Sequence, residues 1–149
     1  MGINLRTNFY SPLRYPGGKG KLSHYVQLLI DYNLITDGHY VEPYAGGASV
    51  ALTLLFNEYV SRIHINDYDL RIYAFWDCVL NKTDELCEII LQTEVTVKNW
   101  EKQKEVQKNP NDYSNLEIGF STFFLNRTNR SRLLKAGAMA RKNPGENGK

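Results

Sequence analysis

The sequence predicts an α/β fold on a parallel sheet, and two observations carry the prediction. Short apolar runs at 40–43 and 62–66 alternate with segments of helical period at 22–33, 48–59 and 70–80. Between the first run and the next helix stands Gly46-Gly47, a pair that lets a strand turn closely into a helix. Strand, helix, strand, helix in that order implies parallel pairing through a helical crossover. The 149 residues, 42% hydrophobic and 23% charged, suffice for one domain with a core but not comfortably for two. No stretch has membrane-spanning apolar length and the N-terminus shows no apolar leader core, so a soluble, cytoplasmic protein is the expectation.

Each element has its own reason. Residues 1–12 show no period, and 13–21 hold Pro16, Gly17, Gly18 and Gly20, a loop by composition. Leu22, Val26, Leu29 and Ile30 make 22–33 a helix, with Ser23 near its start. Val50, Ala51, Leu54 and Leu55 do the same for 48–59, and Ile63 and Ile65 set one face of the strand at 62–66. Further helices are expected at 70–80 and 84–92, where Cys78 and Cys87 read as buried thiols. Residues 100–112 turn polar, a mobile-looking helix and turn. Ser114 and Glu117 then form a Ser-x-x-Glu capping box that opens a helix at 115–125. The net charge of +2 excludes little, but 126–142 holds Arg127, Arg130, Arg132, Lys135, Arg141 and Lys142 with no acidic residue. Such a run can neutralise phosphates or simply form a solvated surface.

Three motifs follow one another: Arg14-Tyr15-Pro16-Gly17-Gly18-Lys19, then Val41-Glu42-Pro43-Tyr44-Ala45-Gly46-Gly47-Ala48-Ser49, then Ile65-Asn66-Asp67-Tyr68-Asp69. Asp67 falls roughly 20 residues after the glycine pair, at the end of the next strand, where nucleotide-binding α/β folds present a carboxylate to ribose hydroxyls. A dinucleotide site would want Gly-x-Gly-x-x-Gly at a helix N-terminus facing a pyrophosphate. Glu42, close before the glycines, would oppose a pyrophosphate but suits the ammonium and sulfonium charges of S-adenosylmethionine. Lys19 or loop N–H groups suit that ligand's carboxylate, and Tyr15 either packs on the ligand or fills the core. Singly, each has a plainer reading: a tight turn for Gly46-Gly47, a helix N-cap for Asp67 and a solvated lysine for Lys19.

Together the three motifs resemble motifs X, I and II of the Dam-like, D12-class adenine-specific DNA methyltransferases. Phe123-Phe124-Leu125-Asn126-Arg127-Thr128-Asn129 is similar to the segment that opens that family's target-recognition region. The resemblance implies a Rossmann-like methyltransferase fold, S-adenosylmethionine as methyl donor, double-stranded DNA as substrate and transfer to N6 of adenine. It implies that Tyr15, Lys19 and Asp67 touch the cofactor and that Glu42 and Gly46 line the same pocket. Arg127, Arg130, Arg132 and Lys135 become the DNA-contacting candidates. Residues 1–97 would then be the cofactor-binding part and 98–149 the start of the helical recognition region. The family's Asp/Asn-Pro-Pro-Tyr catalytic motif is found at none of the five prolines; Asn109-Pro110-Asn111-Asp112-Tyr113 lacks the second proline. No catalytic residue is therefore assigned. The expectation is an incomplete fold, inactive alone, that a second polypeptide could complement. Two departures, Ser131-Arg132 and Ala140-Arg141 where the family tends to have Ser-Gly and Gly-Gly, bear on DNA recognition more than on the cofactor pocket. A non-catalytic DNA- or cofactor-binding module is the alternative; the glycine pattern argues against a nicotinamide enzyme.

Overall fold

The computed structural model describes residues 10–15 and 19–129. Pro16, Gly17 and Gly18 of the first motif lie outside the described residues, as do the basic candidates Arg130, Arg132 and Lys135. The chain divides into two units, residues 1–73 and 74–149.

In the first unit a single turn of 3-10 helix (Lys19–Leu22) runs directly into α1 (Ser23–Tyr32), where the Ser23 hydroxyl donates to Gly20 O at 2.6 Å. Strand β1 (His39–Glu42), α2 (Ser49–Phe56) and β2 (Arg62–Ile65) follow, and α3 (Leu70–Asn81) leads into the second unit. The two strands pair in parallel, Tyr40 beside Ile63 and Glu42 beside Ile65. The α/β reading is thereby met in a small form: among the described residues the sheet has two strands. Period-2 alternation sorts its faces. Tyr40 and Ile63 pack with Val26 and Ile30 of α1 around buried Val50, Leu54 and Val60, while His39, Val41, Arg62 and His64 are exposed.

Helix α2 ends at Phe56, three residues short of the predicted 59. Glu58 takes a left-handed φ of 60°, its N–H bonding Leu55 O while Tyr59 N–H bonds Leu54 O. Helix α1 closes the same way, with Leu34 at φ 53°, Leu34 N–H on Asp31 O and Ile35 N–H on Ile30 O. Both are Schellman ends, built without the glycine that normally marks them.

The second unit is helical: the rest of α3, α4 (Thr83–Gln92), α5 (Val97–Lys108), a 3-10 turn (Pro110–Asp112) and α6 (Asn115–Thr128). Ala74, Val106 and Ile118 form its core, with Tyr113 against them. The Ser114–Glu117 capping box is present in both directions. Two expectations need correction here. Residues 100–112 read as a mobile-looking polar helix and turn; the helix and the turn are present, but α5 buries Gln103, Val106 and Gln107 on one face. Gln107 Nε2 donates to Ser121 Oγ at 2.6 Å, and Ser121 Oγ to the backbone carbonyl of Gln103 at 3.3 Å, so the Gln107 amide nitrogen is buried with partners that α6 supplies. Of the two thiols expected to be buried, Cys78 is and Cys87 is exposed, because on α4 the neighbouring Leu86 takes the inward position.

Candidate cofactor site at the glycine turn

The site grows from the ends of β1 and β2. Beyond the strands the pairing continues: Asn66 N–H bonds Glu42 O at 3.1 Å and Ala45 N–H bonds Asn66 O at 2.9 Å. This brings the loop after β2 against the loop after β1. The chain then reverses through Gly46 (φ +51°), Gly47 and Ala48 (φ 49°), where Ala48 N–H bonds Ala45 O at 2.6 Å, and α2 begins. Gly46 holds a conformation that an L side chain resists, and a Cβ there would stand 3.1 Å from the Tyr15 ring. At Gly47 a Cβ would stand 3.3 Å from Leu13 O, so this turn passes closely under the incoming chain.

Asp67 ties the two loops together. Its Oδ2 accepts from Gly46 N–H at 2.8 Å and its Oδ1 from Asp69 N–H at 3.0 Å. Each carboxylate oxygen has two lone pairs, so acceptor capacity remains beyond these two bonds. Asp69 Oδ1 accepts from Arg71 N–H and pairs with its guanidinium at 3.3 Å. The phenol of Tyr15, 45% exposed, is pushed up from its ordinary pKa by burial and then by the Asp67 and Asp69 charges. Tyr15, Gly46 and Asp67 therefore meet in one place.

Glu42 plays a different part. It is only 4% exposed, its Oε2 accepting from Ala51 N–H at 3.2 Å and its Oε1 lying 3.5 Å from Lys19 Nζ. Lys19 also donates to Tyr44 O at 3.1 Å. Burial raises the Glu42 carboxyl, and the Ala51 N–H and Lys19 offset part of that rise. The carboxylate thus caps the first turn of α2, where helix N–H groups lack partners, and anchors Lys19 beside the glycine turn. Sequence reading expected Glu42 to line the pocket; its bond to α2 is one that no spacing rule would have found.

The DNA candidate within the described residues, Arg127, lies on α6 with its guanidinium 5.4 Å from the Phe123 ring centre. Near it Asn126 and Asn129 are buried, and Trp100 Nε1 donates to Asn129 Oδ1 at 2.8 Å. No helix among the described residues is long and apolar enough to cross a membrane.

A glycine turn between a strand and a helix, with a carboxylate at the end of the neighbouring parallel strand, is the arrangement of α/β proteins that bind ligands beyond the carboxyl ends of their strands. The family model for D12 class N6 adenine-specific DNA methyltransferase matches residues 15–141, and the chain belongs to that family. Its class of reaction is the methylation of adenine in DNA. A comparison with curated proteins returned no match.

Proposed function

We propose that this chain supplies the cofactor-binding share of an adenine-N6 DNA methyltransferase that takes its methyl group from S-adenosylmethionine and works on double-stranded DNA in the cytoplasm. The observation that carries the reading is the convergence of Tyr15, Gly46 and Asp67, with Asp67 keeping acceptor capacity after bonding Gly46. Those residues fit the group: the Cβ-free turn lets the Tyr15 ring settle beside Asp67, and a carboxylate accepts ribose hydroxyls. When bound, S-adenosylmethionine would supply an electrophilic methyl group. Tyr15 would then cover the ligand, Asp67 would fix its ribose and Lys19 would face its carboxylate. Glu42 acts from beneath as a positioning residue, holding Lys19 and α2 in place. Positioning is the main work a protein does for a displacement of this kind.

Residues 98–149 serve in this reading as the start of the target-recognition region. Arg127, with Arg130, Arg132 and Lys135 outside the described residues, would meet DNA phosphates or bases. The adenine must leave the base stack before N6 reaches the methyl group. No residue of these 149 is assigned to hold that adenine, since Asp/Asn-Pro-Pro-Tyr does not occur among them. Methyl transfer by the chain alone is accordingly not expected, and a polypeptide carrying that motif would restore it.

The test is a calorimetric titration of the folded chain with S-adenosylmethionine, alongside Asp67→Ala. Saturable binding that weakens at least tenfold in the variant (about 1.4 kcal/mol) supports the pocket. A chain that is folded by circular dichroism yet binds nothing overturns it. NAD binding in place of S-adenosylmethionine would overturn the methyltransferase ligand specifically.

A further inference from the structure

Away from the glycine turn, the uncovered face of the sheet carries two histidines on neighbouring strands. His39 opens β1 and His64 lies within β2, both exposed, with His39 paired in register to Arg62 and His64 to Val41. His39 Nδ1 and His64 Nε2 face each other at 3.3 Å, with ring centroids 5.3 Å apart and planes inclined by 40°.

Two imidazole nitrogens at about 2.0–2.1 Å from one tetrahedral ion lie about 3.3–3.4 Å apart, with ring centroids about 5.2 Å apart. A straight N–H···N hydrogen bond of the observed length would place the centroids about 5.6 Å apart. As it stands the pair can share one proton in a bent hydrogen bond, and the same spacing is the bite of a chelate once that proton is displaced. Among the described residues no group of three or more His, Cys, Asp or Glu side chains that could hold a metal ion is found, so those residues offer two ligands here, with the remaining positions open to water or an incoming group.

From this geometry we infer that His39 and His64 form a bidentate site for a borderline divalent transition-metal ion such as Zn²⁺, Ni²⁺ or Cu²⁺. Neutral imidazole suits these ions, whereas Mg²⁺ and Ca²⁺ demand oxygen ligands. The ion would link β1 to β2, strands of only four residues each, whose far ends carry Glu42 and lead to Asp67. Because a chelate across two strands exists only in the folded unit, binding stabilises it. This inference does not depend on the cofactor reading.

The experiment titrates the full chain with Zn²⁺, with Mg²⁺ as control, in wild type, His39→Gln and His64→Gln. Wild type is expected to bind Zn²⁺ one to one and to melt at a higher temperature with it. Mg²⁺ should do neither. Removing either histidine leaves a single ligand, and the chelate advantage, on the order of 10²-fold in affinity, should disappear. Zn²⁺ binding equally tight in both variants, or no binding by folded wild type, overturns the site. Should the variants fail to fold, Cu²⁺ added to wild type decides through paramagnetic broadening of its amide NMR signals. Broadening centred on residues 39 and 64 supports the site; broadening centred elsewhere overturns it.

Discussion

Gly46 concentrates two constraints in one residue: a φ of +51° and a Tyr15 ring that a Cβ would meet at 3.1 Å. Substituting alanine adds the strain of a left-handed L residue, about 1 kcal/mol, before the ring has moved. Gly46→Ala should therefore lower thermal stability by roughly 1–2 kcal/mol. It should weaken S-adenosylmethionine more than stability alone accounts for, because the displaced Tyr15 belongs to the proposed pocket. Denaturant melts paired with titration check both halves; a variant as stable and as tight-binding as wild type removes Gly46 from the site. At this scale residue type and spacing made a juxtaposition legible. Gly46 and Asp67 were singled out by type and spacing, and the structure joins them by a 2.8 Å bond. Glu42 was legible only as an acid near the loop. Its buried bond to Ala51 N–H depends on a fold that brings the first turn of α2 back over β1.

Helix ends show what local sequence can and cannot announce. The capping box at Ser114 and Glu117 was legible because its chemistry is written in two side chains, and the structure forms it. Its pH response follows from the Glu117 carboxyl, which the Ser114 backbone N–H and then the Ser114 hydroxyl hold below the usual carboxylate range. A carboxyl depressed by folding stabilises above its unfolded pKa and loses that contribution as pH falls through its folded value. Ser114→Ala should cost about 1 kcal/mol at neutral pH. The gap from wild type should narrow in acid as Glu117 protonates, and urea melts across pH would show a constant gap if the box contributes nothing. The Schellman ends of α1 and α2 gave no such notice, since Leu34 and Glu58 stand where glycine is the usual signal. Leu34 is 86% exposed, so little packing is lost on its removal. Leu34→Gly should raise stability by about 0.5–1 kcal/mol through relief of the left-handed strain, and a lower melting temperature would refute that account. Helix α5 is the converse case: it read as polar and mobile-looking because the partners of its buried Gln107, Ser121 and Thr122, stand on another helix.

At the scale of the whole molecule, the α/β order was legible because period-2 and period-3.6 patterns alternate, whereas the division at residue 73 was not, since it falls inside the continuous pattern of α3. Each unit holds its own apolar cluster, Val50, Leu54 and Val60 in the first and Ala74, Val106 and Ile118 in the second. The residues assigned to the cofactor all belong to the first unit. A ligand stabilises what it binds, by about 2.7 kcal/mol when its concentration is a hundred times Kd. If the units open separately, S-adenosylmethionine should slow hydrogen exchange at Ala45, Gly46, Ala51 and Asn66, whose N–H groups bond around the turn. Exchange at Ile118, bonded to Ser114 O in α6, should stay unchanged. Equal slowing in both places would mean that the chain opens as one cooperative body, with the pocket still supported. Unchanged exchange in both, at a concentration that saturates other methyltransferases, would remove the cofactor from the first unit altogether.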